Sequence, residues 1–395
     1  MLKSFLEQTS AKYKGMKQVY QYIHANKPVT KAKIVEEIEM KQTTVARHLE
    51  YLVSEGFIKI AEYEESSGGR PPALYEIEPD AGFMIGVDLS RIESTIILVN
   101  MSFSEVDSFT FAMTEKHTPP YTLQLIKEKI EQLLEKHNIP RDMLLGIGIG
   151  TVGPLDREKG IILEPDAFIA SGWKNISVID GLESFEDEKI LLENGANVAT
   201  LHEYMKGNIL DQTILYCISG RGLRCGVLAD GHILKNKTGD ASSFGETIIE
   251  VNERRSLASF ISYDYLLREV NKRYLNEKSF PFYHKEKGNN QKELMDQFMK
   301  ALASEDPIVL EVVLESAVTY GIGIANVINI LHPDKVILSS ELIHTYPPYY
   351  EKIVASAKQY IYRMKREPVH FNKEDRNVNT ISIGAAVMIF QSYFE

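Results

Sequence analysis

Along the first 80 positions, apolar residues recur at helical spacing and then at strand spacing. Met16, Val19, Tyr20 and Ile23 fall at i, i+3, i+4 and i+7, which predicts a helix ending near Asn26-Lys27-Pro28. Thr30 stands where an N-cap belongs, ahead of a second helix that turns Ile34, Val35 and Ile38 inward. A third helix is predicted over 42–55, with Val45, Leu49 and Leu52 as its inner stripe and Gly56 closing it. Thr43, Thr44, Arg47 and Tyr51 fall on its opposite side, and His48 lies at the edge. Residues 57–63 and 73–77 read as two strands around a turn that holds Gly68, Gly69, Arg70, Pro71 and Pro72.

From position 80 the pattern changes. Buried-type strands are predicted at 83–89 and 94–100, an alternating strand at 105–113, a helix over 121–137 and a strand at 144–150. A second series starts with a strand at 213–219. It continues with strands near 224–228 and 232–234, helices, a strand at 335–338 and a last helix from Ser382. Three strands, a helix and a strand, twice over, predict an α/β body of two lobes with a ligand cleft between them. The predicted domains are 1–79, then 80–211 with 378–395 returning to it, then 212–377.

Composition changes this picture little. Hydrophobic residues make up 44% and charged residues 25%, ordinary for a globular chain. No uninterrupted apolar run reaches the roughly 20 residues of a membrane span. The first residues lack the apolar core and cleavage site of a signal peptide. Two cysteines, Cys217 and Cys225, cannot build a disulfide scaffold, and the expected compartment is the cytoplasm. The net charge of −11 argues against nucleic acid until it is mapped. Residues 1–72 hold 11 basic and 9 acidic side chains, whereas the remainder holds 33 and 46. A slightly basic head on an acidic body suits a chain whose head alone touches DNA.

The chemistry of the head points the same way. A recognition helix presents short polar and basic side chains to base edges and phosphates, as Thr43, Thr44 and Arg47 would, with His48 as a marginal member. Taken alone, that face reads first as ordinary solvated surface. The turn adds weight: Gly69 lets the backbone come close, the prolines stiffen the exit, and Arg70 is placed to enter a minor groove. Its alternative is a plain hairpin. Together the parts predict a winged helix-turn-helix that binds a double-stranded operator.

This order of parts resembles the ROK family (repressors, open reading frames and sugar kinases) in its transcription-factor branch. The resemblance runs from about residue 13 to the C-terminus. In the body it rests on Gly86-Val-Asp-Leu, Gly146-Ile-Gly-Ile-Gly-Thr-Val-Gly-Pro-Leu-Asp, Ser171-Gly-Trp-Lys-Asn, Glu193-Asn-Gly-Ala-Asn-Val-Ala, Gly220-Arg-Gly-Leu-Arg-Cys-Gly-Val, Phe244-Gly-Glu and Asn329-Ile-Leu-His-Pro-Asp-Lys-Val-Ile. It implies a two-lobed actin/hexokinase-like body of ribonuclease H-like repeats. Sugar would bind between the lobes and, in the kinases, ATP beside it.

The chain departs from the kinase pattern where the chemistry lies. Where kinases have Gly-Gly-Thr after the first-strand aspartate, Asp88 is followed by Leu89-Ser90-Arg91. The catalytic aspartate position is Gly195, which cannot be a general base. The second phosphate loop carries Arg221 and Arg224, and the glycine pair against adenosine is Ser339-Ser340. The family's zinc-binding histidine is Ile249, and no cysteine follows it nearby, so no metal is expected.

In the implied sugar pocket, Asn194 and Glu246 match residues that bind hydroxyls. About half of the family's contacts are absent. Gly172 and Trp173 border that pocket by resemblance, although a lone tryptophan reads first as core packing. Arg221 and Arg224 would hold an anionic sugar phosphate, or pair with acidic neighbours. The expected protein is therefore a homodimeric DNA-binding regulator of carbohydrate genes, a repressor, with a sugar or sugar-phosphate effector. It has no catalytic residue, no cofactor and no membrane association. The alternatives are a sugar kinase with an appended head and a ligand-independent dimerisation scaffold.

Overall fold

A computed structural model of the chain describes all residues except 64–70, 166–167, 207–211, 237–238, 242, 277–290, 363–367 and 395. It divides into two compact units. The first comprises Met1–Ile209, Lys237–Asp240 and Val378–Glu395, and the second Leu210–Asn236 and Ala241–Asn377.

The first unit begins with four helices: α1 (Leu2–Leu6), α2 (Ala11–Ala25), α3 (Lys31–Ile38) and α4 (Gln42–Ser54). With them goes a small antiparallel sheet of β1 (Val29–Thr30), β2 (Ile58–Tyr63) and β3 (Ala73–Ile77), in the order β1-β3-β2. Thr30 caps α3 by accepting from the Lys33 amide at 3.3 Å. Between α3 and α4 the chain turns through Glu39 at φ 54°, and after α4 through Gly56 at φ 72°. Val19, Tyr20, Ile23, Ile34, Val45 and Leu52 are fully buried among these helices. The short α1 was not expected; its Leu2, Phe5 and Leu6 are buried.

The rest of the first unit is built on a five-stranded sheet. Its strands are β4 (Phe83–Leu89), β5 (Glu93–Asn100), β6 (Glu105–Ala112), β7 (Leu144–Thr151) and β8 (Lys189–Asn194), in the order β8-β7-β4-β5-β6. β4, β7 and β8 run parallel, while β4, β5 and β6 form an antiparallel meander. Helix α5 (Pro119–Lys136) covers one face with Leu123, Ile126, Ile130 and Leu133. The other face holds α6 (Gly195–Lys206) and the C-terminal helix, α10 (Thr380–Gln391).

Residue 79 is not a break between units. The His24 ring of α2 stacks on Phe390 of α10 at 4.3 Å, and its Nε2 lies 2.7 Å from the Met101 carbonyl oxygen. Lys17 of α2 donates to the carbonyls of Leu6 and Tyr393 at 2.7 and 2.9 Å. Lys3 of α1 pairs with Glu188 at 2.5 Å.

The second unit has the same sheet plan. β9 (Ile214–Ser219), β10 (Leu223–Ala229) and β11 (His232–Ile233) form the meander, and β12 (Lys335–Ser339) and β13 (His370–Lys373) run parallel to β9. Helices packed with this sheet include α7 (Tyr263–Asn276), α8 (Pro307–Leu331) and α9 (Pro347–Tyr360). By length and composition α8 is long and apolar enough to span a membrane, although no uninterrupted apolar run in it reaches that length. Glu311 and Glu315 hid it by breaking the apolar run; both pair with Arg273 on α7. Here α8 is the core helix of the unit, with Val309, Val313, Ala317 and Ile324 fully buried.

Candidate nucleic-acid interface and ligand site

α4 sorts its residues by face. Val45, Leu49 and Leu52 are buried, whereas Thr43 and Arg47 are exposed and Thr44 is half-buried. Two side chains placed on or near the outer face are turned inward instead. His48 is 9% exposed, and a Cβ on Gly15 of α2 would lie 3.2 Å from its Nε2. Burial, then the nearby Lys12, lowers its pKa. Tyr51 packs its ring 6.3 Å from Phe5 and 6.5 Å from Tyr13. Both corrections have one cause: α1 and the start of α2 cover a strip of α4 that periodicity alone leaves open. Gly69 and Arg70 lie outside the described residues.

In the body of the first unit, the parallel strands end side by side. Asp88 on β4 and Glu193 on β8 are both in register with Gly150, and Asn194 is in register with Thr151. β8 then passes directly into α6. The Asn194 Oδ1 accepts from the Ala196 amide at 3.0 Å and so caps that helix, and its Nδ2 donates to Asp240 Oδ1 at 3.3 Å. Glu193 is 2% exposed, and its charge is met by Arg157 Nε at 2.7 Å and Asn197 Nδ2 at 3.0 Å. Arg157 also donates to the Asp240 carbonyl at 3.3 Å. Arg157, Asn197 and Asp240 were missed from sequence. Asn197 lies within the 193–199 motif, but nothing in that motif shows that Arg157 and Asp240, from two other stretches of chain, join it.

Gly195 opens α6. A Cβ there would meet nothing closer than the Ile381 side chain at 3.5 Å, so the position has room for a side chain but carries none. Trp173 belongs to the core: it is 5% exposed, stacks on Phe168 at 4.3 Å and donates to the His117 carbonyl at 3.0 Å. Its burial agrees with the core reading of this tryptophan. Gly172 beside it is exposed, at φ 94°.

The other candidates lie in the second unit. Glu246 is exposed, while Arg221 and Arg224 are half-buried at the β9–β10 turn. The turn closes on itself, Gly220 N donating to Gly222 O at 3.1 Å and Tyr263 N to Gly220 O at 3.0 Å. Arg224 donates to the Leu223 carbonyl at 3.0 Å. Tyr263 reaches from this turn to Ser340, with its hydroxyl 3.4 Å from Ser340 Oγ, and burial raises its pKa. Ser340 in turn caps the next helix by accepting from Leu342 N at 3.2 Å. The 220–222 turn and Ser340 are thus tied to each other through Tyr263. Among the described residues no group of three or more His, Cys, Asp or Glu is placed to hold a metal.

The three-strand, helix, strand pattern thus occurs in both units. Residues 84–392 match the ROK family, and the chain belongs to it. It is 22% identical over 400 residues to the xylose repressor of Bacillus subtilis, covering 98% of both chains. It is also 22% identical over 336 residues to the DNA-binding transcriptional dual regulator NagC of Escherichia coli, covering 82% of this chain and 79% of that one. Among solved structures it is similar to a ROK family transcriptional regulator described as a homolog of the E. coli MLC protein. There the TM-score is 0.75 at 18% identity, with 96% of each chain covered.

Proposed function

We propose that this chain is a sequence-specific DNA-binding repressor of carbohydrate uptake or metabolism genes. The observation that carries the reading is the end-to-end likeness to a xylose repressor, head included. The head is read as a winged helix-turn-helix. Thr43, Thr44 and Arg47 contact bases and phosphates, and Arg70 enters a minor groove. The chain works in the cytoplasm as a homodimer, because one head reads only one half-site. The body senses a sugar or sugar phosphate without turning it over. Gly195 supplies no base, and Tyr263 ties up the former phosphate loop.

The test is selection of duplexes from a randomised pool by the full chain, followed by gel shift. Arg47→Ala is expected to weaken binding by about 1–3 kcal/mol. No enriched duplex, or one bound equally by Arg47→Ala, would count against the reading. A sugar kinase with an appended head is the second reading, favoured by the kinase-like body. An ATP-coupled assay over pentoses and hexoses separates the two, since robust turnover would reject the repressor assignment of the body.

A further inference from the structure

α10 runs from the Asn194 turn to the head, and its packing leaves it no freedom to move alone. At its start the Ile381 side chain faces the empty Cβ position of Gly195 at 3.5 Å. Further along, three glycines bring backbone against backbone. A Cβ on Gly86 of β4 would sit 1.8 Å from the Ser382 carbonyl oxygen, and one on Gly148 of β7 would sit 1.9 Å from that of Ala385. On the opposite side, a Cβ on Gly384 would sit 1.9 Å from the Val198 carbonyl oxygen of α6. α10 is therefore clamped between the sheet and α6 by main-chain atoms, which no rotamer change can move aside.

Its far end enters the head. Phe390 stacks on His24 at 4.3 Å and lies 6.5 Å from Tyr20. Just beyond the helix, the Tyr393 carbonyl accepts from Lys17 at 2.9 Å, and the Tyr393 hydroxyl donates to the Leu145 carbonyl at 2.6 Å. From Ile381 to Phe390 the rise is about 14 Å.

We infer that α10 is the rod through which the Asn194–Gly195 turn sets the position of the head. The inference rests on the proposed DNA-binding function and adds its route of regulation. A ligand that displaces the first turn of α6 meets α10 at Ile381 and Gly384. The shift cannot be absorbed locally, so it is delivered at His24, Tyr20 and Lys17. Close-packed elements of this kind switch between discrete arrangements instead of deforming smoothly.

The test needs no effector. In Gly195→Leu the Cβ fits, but the branches beyond it press on Ile381. With a duplex selected by the wild-type chain, Gly195→Leu is expected to change operator Kd at least fivefold. In the Gly195→Leu/Ile381→Ala double variant, Kd should return to that of Ile381→Ala alone. A Gly195→Leu protein that melts like wild type and binds within twofold of it overturns the inference. So does a double variant that keeps the full shift.

Should Gly195→Leu fail to fold, Phe390→Leu reads the rod from its other end. Operator Kd should change, and hydrogen exchange should quicken at the amides of 195–198. Exchange that quickens only within the head overturns the inference. If the wild-type chain selects no duplex, the DNA-binding reading falls first and this one with it. A tight operator complex indifferent to Gly195→Leu removes the rod alone.

Discussion

His24 sits where a charge cannot be solvated. Its Nε2 lies 2.7 Å from the Met101 carbonyl oxygen, so the ring proton is placed there, and Nδ1 is buried with no hydrogen-bond partner among the described residues. Phe390 and Phe103 flank the ring at 4.3 and 4.7 Å. Burial, and then the charge of Lys27, lowers its pKa from the ordinary 6.5 to about 3. The unfolded chain thus takes up a proton near pH 6.5 that the folded chain refuses until about pH 3. Stability from this residue is whole above pH 6.5 and falls as pH drops toward 3, by about 1.4 kcal/mol per unit. His24→Gln retains an amide donor for Met101 but does not titrate. Urea titrations at pH 8 and 5.5 should therefore show wild type losing about 1.4 kcal/mol more than His24→Gln. Equal losses would mean that the ring is not enclosed. Single residues were legible where they obeyed the period of their own helix, as Val45 and Arg47 did. They were not legible where a distant segment decided the outcome. Nothing in the spacing of α4 announces that α1 and Gly15 cover Tyr51 and His48.

Elements held the same division. Strands buried on both faces, such as β4 and β7, announced themselves as unbroken apolar runs. β8 and β13 did not: β8 ends in the polar Glu193-Asn194 pair, and β13 reads His-Phe-Asn-Lys. α1 was legible in principle, since Leu2, Phe5 and Leu6 keep helical spacing, but five residues are too few to weigh. What no pattern conveys is that α10 meets the sheet backbone to backbone. The glycines allow a direct contrast. Gly148→Ala would place a Cβ 1.9 Å from the Ala385 carbonyl oxygen, a main-chain atom in a filled core. Overpacking of that kind costs about 1–3 kcal/mol or more. Gly195→Ala meets ordinary contact distances at the start of a helix, and replacing glycine there should be neutral or stabilise by up to about 1 kcal/mol. Thermal melting of the two variants reads the difference, and equal melting points would refute the clamped arrangement of α10.

At the scale of the whole molecule, charge carries the argument. The chain has a net charge of −11, yet residues 1–72 hold 11 basic against 9 acidic side chains. A head so weakly basic on so acidic a body gains little from long-range attraction to DNA. If the chain binds an operator as proposed, its affinity must come from a few close contacts, and binding to unrelated duplex should be weak. Every cation that meets a phosphate releases counterions, so operator affinity should fall linearly on a log–log plot against salt. Lys41 at the N-cap of α4 and Arg47 in its middle are both exposed, and each has a distinct expected signature. If Lys41 meets a phosphate, Lys41→Ala should lower the salt slope by about one, with little change in sequence preference. If Arg47 reads a base edge, Arg47→Ala should cost about 1–3 kcal/mol and relax the preference at one base pair. Fluorescence anisotropy at four salt concentrations, on the selected duplex and on single-base variants, separates the two. A slope and a preference untouched by both substitutions would place the DNA contacts elsewhere in the head. In that case the exposed face of α4 would be solvated surface, the bland alternative its sequence always allowed.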